Sequence, residues 1–208
     1  MVLPFLWSIG DYAFYGDKDQ PIIIFCFTIS MIGGFSLSFI FHSFGKNGKG
    51  QIFKREAFLL VTLAWSVGAL IAALPFYCFG ILGAGKIEGA EQFSSLLDCI
   101  FEGISCLTTT GATILTNIQA LPKGILLWRA FVPWLGGLGI VMIFVAVLPM
   151  IAGGGRRMFQ AEATGIGGND DATKIQEKVR TIWLIYLFFT VLQFMIMKFV
   201  QPDLSFFG

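Results

Sequence analysis

Residues 93–113, FSSLLDCIFEGISCLTTTGAT, are the stretch that decides the fold. Residues 93–107 are mostly apolar but include two carboxylates, Asp98 and Glu102. A helix needs about 20 apolar residues to cross a bilayer, so this segment is too short and too charged to span one. Threonines and a glycine follow it directly, which indicates that a short helix ends there and continues as a polar loop.

The composition around this stretch is that of a membrane protein. Of 208 residues, 56% are hydrophobic and only 13% are charged, whereas soluble domains carry about 25% charged residues. The basic residues, 14 against 13 acidic ones, give no excess suited to a nucleic-acid partner. We interpret the four cysteines as small hydrophobic residues because neither a CxxC pair nor a nearby histidine accompanies them. The apolar segments contain no catalytic constellation and no metal-ligand set, so we predict no enzyme and no organic cofactor.

Four apolar runs are long enough to span a bilayer: residues 21–44, 57–83, 124–152 and 181–200. Nine of the 14 basic residues lie in the two loops 45–56 and 153–180. Because lysine and arginine near span ends stay on the cytoplasmic side, both loops are predicted to be cytoplasmic. The sequence therefore predicts a multi-pass membrane protein with these two loops on the cytoplasmic side.

This orientation constrains residues 93–113. The second span must end outside and the third must begin outside, so the segment between them cannot cross the membrane. A re-entrant hairpin satisfies this constraint, with a short helix that descends part-way and a chain that returns as irregular backbone. Irregular backbone at membrane depth requires surrounding protein or a water-filled cavity, so the loop is predicted to line a pore. The alternative is an amphipathic helix lying on the outer surface.

The loop has the chemistry of a cation site. Thr108, Thr109 and Thr110 supply hydroxyl and carbonyl oxygens, and Gly111 can adopt a positive φ that turns successive carbonyls to one side. Such oxygens can replace the hydration shell that an ion loses on entering an apolar medium. The helix before the loop would also direct the negative end of its dipole toward the ion.

Several motifs together resemble one family, the Trk/Ktr potassium transporters, and most closely their TrkH branch. The resemblance covers nearly the whole chain, and the motifs that carry it are REAFL (55–59), ALPF (73–76), DxxxE (98–102), TTTGAT (108–113), WLGGLGI (134–140) and LPM (148–150). The resemblance implies an all-α membrane protein with spanning helices, one re-entrant pore helix and a filter loop. Residues 1–50 would form part of an extra N-terminal helical pair, residues 51–158 the first helix/pore-loop/helix repeat, and residues 159–208 a cytoplasmic linker with the first helix of the second repeat.

The function implied by the resemblance is K+ uptake across the cytoplasmic (inner) membrane, with K+ as the transported ion. Thr109 and Thr110 would coordinate K+, with Thr108 and Gly111 as neighbours. The family forms dimers and works with a peripheral cytoplasmic subunit that binds nucleotides and gates the pore. One filter loop cannot surround an ion, so further repeats or a second copy are expected as partners. The alternatives are a non-transporting membrane subunit or remnant that packs with a larger partner, and a homotetrameric channel with one loop per chain.

Other residues are predicted to support the pore. Arg129 lies one turn inside the third span, where a charge usually snorkels or pairs, and Asp98 and Glu102 are its nearest candidate partners. Small residues in membrane helices permit close packing. We therefore expect the glycines of the third span to pack against the pore helix rather than to form a hinge; they are Gly136, Gly137 and Gly139.

Overall fold

The computed structural model describes residues 1–15, 20–46, 54–141 and 170–201. Every regular element within these ranges is a helix and none is a strand, which confirms the all-α prediction. The elements, in chain order, are α1 (Val2–Tyr15), α2 (Gln20–Gly45), α3 (Lys54–Gly83), a 3₁₀ turn (Ala90–Phe93), α4 (Leu96–Leu107), α5 (Lys123–Val141) and α6 (Asp170–Val200).

Four of these helices are long and apolar enough to cross a membrane: Gln20–Gly45, Phe58–Gly83, Lys123–Val141 and Val179–Val200. They correspond to the four predicted spans and begin within two residues of the predicted starts. The expected end of the third span at Ala152 lies outside the described residues. Residues 47–53 and 153–169 of the two loops predicted to be cytoplasmic also lie outside them.

The chain divides into two compact units. The first comprises Met1–Gln51 and Thr62–Gly137, and it contains α1, α2, α4 and most of α3 and α5. The second comprises Ile52–Val61 and Leu138–Gly208, and its main described element is α6. The predicted filter loop and every contact discussed below belong to the first unit.

Aromatic side chains build the core of the first unit. Phe27 of α2 meets Trp128 of α5 edge to face, with ring centroids 6.1 Å apart. Phe93, at the end of the 3₁₀ turn, stacks on Phe76 of α3 with centroids 5.1 Å apart. The Trp128 indole Nε1 donates to the Ala72 carbonyl oxygen at 3.0 Å. Because a buried indole N–H needs a partner, this hydrogen bond fixes α5 against α3 as well as burying the ring.

A polar contact ties the N-terminal helices to the start of α5. Asp11 of α1 is 5% exposed. Its Oδ2 accepts a hydrogen bond from Gln20 Nε2 at 3.0 Å, and its Oδ1 lies 3.6 Å from Lys123 Nζ. A buried carboxylate is tolerated only when it is paired in this way. Asp11 therefore joins α1 to both α2 and α5.

Helix α4 begins at residues suited to a helix N-terminus. Ser95 precedes it in an extended conformation (φ −97°, ψ 134°), which is typical of an N-cap residue. Asp98 lies in the first turn, where a negative charge is favoured by the helix dipole. With 12 residues, α4 is about 18 Å long. It is therefore shorter than the hydrocarbon core of a bilayer.

Two glycines allow α4 to lie very close to its neighbours. A Cβ at Gly103 would lie 2.8 Å from the Ala69 carbonyl oxygen and 2.9 Å from the Ala73 nitrogen, both on α3. A Cβ at Gly136 of α5 would overlap the carbonyl oxygen of Leu107, the last residue of α4. Any larger residue at either position would push the helices apart. The glycines therefore set the position of α4 and of the loop that follows it.

Candidate ion-binding loop

The predicted filter loop comprises residues 108–113, and its first residues cap helix α4. The Thr109 N–H donates to the Cys106 carbonyl at 3.1 Å, and the Thr110 N–H donates to the Ser105 carbonyl at 3.0 Å. This pair of bonds, with a left-handed residue at Thr109 (φ 57°), is a Schellman motif. The predicted filter threonines therefore also end the helix.

Thr109 has a backbone conformation that is costly for its residue type. It is the one non-glycine residue with positive φ in the described ranges, and a β-branched side chain there is strongly disfavoured. Gly111, two residues later, also has a positive φ of 77°. Residues in sparsely populated conformations persist only where surrounding contacts hold them. At Thr109 these contacts include the cap bond and a 2.7 Å hydrogen bond from its hydroxyl to the Thr108 carbonyl.

We expect Thr109→Gly to raise the free energy of unfolding of the purified chain by up to about 1 kcal/mol. Glycine removes a left-handed penalty of about 1–2 kcal/mol, which exceeds the roughly 0.5–1 kcal/mol that its backbone freedom costs. Thr110→Gly is the matched control, and it should lower stability by about 0.5–1 kcal/mol because φ is not positive there. Denaturant titration in detergent measures both values. A loss of stability in Thr109→Gly equal to that in Thr110→Gly would contradict the assignment of strain to Thr109.

The carbonyl groups of the loop are available to a ligand. Residues 108–113 are all exposed. Among the residues that the structure describes, none donates a hydrogen bond to the carbonyl oxygens of Thr109, Thr110 or Gly111. The next carbonyl, that of Ala112, accepts a hydrogen bond from Ser105 Oγ at 2.5 Å. Three consecutive unpaired carbonyls on exposed, constrained backbone can act as ligands for a hard cation.

Glu102 is the hub that holds Thr113, the last residue of the predicted filter loop, and Ile114, the residue after it. It is fully buried on α4. Arg129 Nε of α5 donates to its Oε1 at 2.6 Å. The Thr113 hydroxyl lies 3.0 Å from Oε2 and 3.1 Å from Oε1, and the Ile114 N–H donates to Oε2 at 3.3 Å. One carboxylate thus joins α4, α5 and the return chain, the segment of residues 113–122 that leads from the predicted filter loop to α5.

The structure shows which of the two candidate carboxylates, Asp98 or Glu102, pairs with Arg129. Arg129 pairs with Glu102, whereas half-buried Asp98 makes no ion pair with any residue in the described ranges. Gly136 contacts the end of α4, as described above. Gly137 and Gly139 are half-buried on α5. In the described part of the chain, no group of three or more histidine, cysteine or acidic residues is arranged to hold a metal ion.

Sequence reasoning missed Gln92, in the 3₁₀ turn before α4. Its Oε1 accepts hydrogen bonds from the Thr116 N–H at 2.9 Å and the Asn117 N–H at 3.4 Å. Its Nε2 donates to the Asn117 carbonyl at 3.3 Å. A lone glutamine in a polar turn carries no pattern that distinguishes it from an ordinary surface residue.

Comparison with known proteins shows that this chain is similar to one family. Residues 22–202 match the family described as "TrkH: Cation transport protein". The potassium uptake protein TrkH of Escherichia coli K12 is 39% identical over 144 residues, which cover 69% of this chain and 28% of that protein. TrkG of the same strain is 30% identical over 175 residues, which cover 83% of this chain and 33% of that protein.

A third relative, TrkI of Halomonas elongata, is 39% identical over 109 residues, which cover 52% of this chain and 20% of that protein. The chain therefore spans about a third or less of the length of these curated relatives. No solved structure matches it.

Proposed function

We propose that this chain, which belongs to the TrkH family of cation transport proteins, takes part in K+ uptake across the cytoplasmic membrane. The relatives TrkH, TrkG and TrkI are named potassium uptake proteins. The family is one of transport proteins, which confirms the prediction that the chain is not an enzyme. K+ is the proposed transported ion, and no organic cofactor takes part.

The position of the end of α4 along two helices that could span a membrane is the structural observation that carries this proposal. Leu107, at the end of α4, contacts Gly68 on α3 and Gly136 on α5. At about 1.5 Å per residue, both glycines lie about 20 Å from the ends of α3 and α5 nearest the 3₁₀ turn and loop. That distance is most of a hydrocarbon core of about 30 Å. It supports a re-entrant helix over a helix lying on the outer surface.

The proposed mechanism is coordination of K+ by the filter loop. The carbonyl oxygens of Thr109 and Thr110, with those of Thr108 and Gly111 beside them, would replace part of the hydration shell as the ion enters the membrane. The C-terminal end of α4 adds partial negative charge at the same point. The ion then moves down its electrochemical gradient.

The proposed organisation follows the repeat structure that the resemblance implies. Residues 51–158 form one helix/pore-loop/helix repeat, residues 1–50 precede it as a helical pair, and residues 159–208 lead into a second repeat. Because one loop supplies only part of an ion's coordination, further repeats or another copy must complete the filter. A nucleotide-binding cytoplasmic subunit is the proposed gating partner, and the loops 45–56 and 153–180 are placed on its side of the membrane.

Growth of a K+-uptake-deficient bacterium at limiting K+ tests this proposal. We would express the 208-residue chain and, separately, E. coli TrkH in which residues 22–202 of this chain replace the matching segment. We expect the chimera to restore growth. Restoration by the chain alone would indicate that copies assemble a pore, and restoration by the chimera alone would indicate that other repeats are required. A chimera that reaches the membrane without restoring growth would contradict the proposal.

A substitution in the loop tests whether the loop itself is needed for uptake. We expect Gly111→Val in the chimera to abolish growth at limiting K+, because valine at a φ of 77° forces the filter backbone to change. Ala112→Val is the matched control: the residue has no positive φ, and its side chain is exposed. The control should retain much of the uptake. Equal uptake by the two variants would argue against a role for the Gly111 backbone in the ion path.

A further inference from the structure

We propose that Gln92 is a positioning residue of the filter loop: its amide clamps the outer part of the return chain, and this clamp contributes to the discrimination between K+ and Na+. The inference rests on the proposed function. It concerns a residue outside both the filter and the pore helix, and it is carried by hydrogen bonds between segments 24 and 25 residues apart in sequence.

The backbone of Gln92 is held in place by the packing of its 3₁₀ turn on α3. Gln92 belongs to the 3₁₀ turn Ala90–Phe93, whose last residue is fully buried between Phe76 and Phe79. A Cβ at Gly80 of α3 would overlap the Phe93 carbonyl oxygen, so the turn lies directly on that helix. The backbone of Gln92 therefore cannot shift without disturbing a packed aromatic core.

The amide of Gln92 is complementary to the return chain at both of its polar atoms. Oε1 accepts from the N–H groups of Thr116 and Asn117 and from the Thr116 hydroxyl, the last at 3.2 Å, while Nε2 donates to the Asn117 carbonyl. Reversing the amide would place its NH₂ group against two N–H donors, so the hydrogen-bond pattern fixes its orientation. Thr116 and Asn117 are exposed. This side chain thus supplies partners to three backbone groups of a surface segment.

The two anchors of the return chain hold different points of it. Glu102 holds Thr113 and Ile114, directly after the filter, and Gln92 holds Thr116 and Asn117, two to three residues further on. A chain fixed at one point can pivot about it, whereas a chain fixed at two points cannot. The second anchor therefore restricts the conformations open to the unpaired carbonyls of residues 109–111, on whose spacing ion discrimination depends.

Hydrogen exchange of the whole chain in lipid nanodiscs tests the clamp without any need for transport. We expect Gln92→Met, which keeps the side-chain length but loses both polar atoms, to speed exchange of the Thr116 and Asn117 amides about tenfold. Gln92→Glu keeps an acceptor for these amides and should give a smaller change. Gln119→Met is the matched control, since Gln119 is exposed on the same chain segment and makes no hydrogen bond with the described residues. Unchanged exchange in Gln92→Met would overturn the proposal.

The second measurement is the ratio of K+ to Na+ uptake by the chimera described above. We expect Gln92→Met to lower this ratio on the order of fivefold while Gln119→Met leaves it unchanged. Faster exchange with an unchanged ratio would overturn the positioning role. A chimera that carries the unsubstituted segment and does not transport K+ would instead count against the proposed function, and the exchange comparison would still decide whether Gln92 holds the return chain.

Discussion

Replacing Glu102 with glutamine is expected to lower the free energy of unfolding by about 3 kcal/mol and to abolish K+ uptake by the chimera. The carboxylate is fully buried, and Arg129 donates to it at 2.6 Å. Removing one charge of a buried pair leaves the other uncompensated, which is much more costly than the pair itself is stabilising. Stability would be measured by denaturant titration in detergent, and uptake by growth at limiting K+.

Asp98→Asn is the matched control, because it makes the same chemical change four residues earlier on the same helix. Asp98 has no ion-pair partner in the described ranges and interacts chiefly with the N-terminal dipole of α4. Its replacement should cost about 0.3–1 kcal/mol. If Glu102→Gln and Asp98→Asn reduced stability equally, the assignment of Glu102 as the hub would be wrong.

A double substitution separates the charge pair from the contacts with the return chain. Arg129→Met alone should also be strongly destabilising, because it leaves the buried Glu102 carboxylate without its cation. In Glu102→Gln with Arg129→Met no charge is left unpaired, so stability should recover by a few kcal/mol relative to the sum of the single changes. Strict additivity of the two effects would contradict the direct pairing seen between them.

The spanning helices could be predicted from sequence because each is apolar on all its faces over a long run. The predicted first span, residues 21–44, corresponds to Gln20–Gly45, and the predicted start of the third at Gly124 corresponds to Lys123. A helix in lipid needs apolar side chains on every face, so the local sequence is sufficient to define it. No knowledge of the neighbouring helices is needed.

The partner of Arg129 could not be chosen from sequence. Asp98 and Glu102 are four residues apart and therefore lie on one face of α4, so helical periodicity treats them alike. The choice depends on the height at which α5 passes α4, which is set by the contact of Gly136 with Leu107. Such a contact is a property of the packed structure. A glycine pattern indicates close packing without fixing its register.

The backbone conformations of the proposed filter loop could be predicted from sequence only in part. A glycine in a polar loop predicts a positive φ, and Gly111 has one. The left-handed residue that ends α4 is nevertheless Thr109, although glycine is the usual residue at this position of a Schellman motif. Residue propensities do not favour a threonine at this position. They also give no indication of the hydrogen bond from its hydroxyl to the Thr108 carbonyl. The local preference for glycine is thus broken at a residue proposed to coordinate the ion, and functional sites are where backbone strain is expected to concentrate.

Gly136→Ala is the second substitution for which we expect a large effect. The added Cβ would overlap the Leu107 carbonyl oxygen, and this oxygen is backbone that no rotamer change can move. The end of α4 must therefore move away from α5 and carry Thr108 and the proposed filter residues with it. Overpacking of this kind costs about 1–3 kcal/mol. We expect K+ uptake by the chimera to be lost, because the displaced segment begins the loop proposed to coordinate the ion.

Gly34→Ala is the matched control for this change. It introduces the same methyl group into another spanning helix, where the nearest neighbouring atom, Cγ2 of Ile71, would lie 4.0 Å away. A contact at this distance is ordinary, so the control should keep its stability and its uptake. Measuring the protein that reaches the membrane separates a loss of folding from a loss of transport. If Gly136→Ala transported K+ as well as Gly34→Ala, the close approach of α5 to the pore helix would not position the filter.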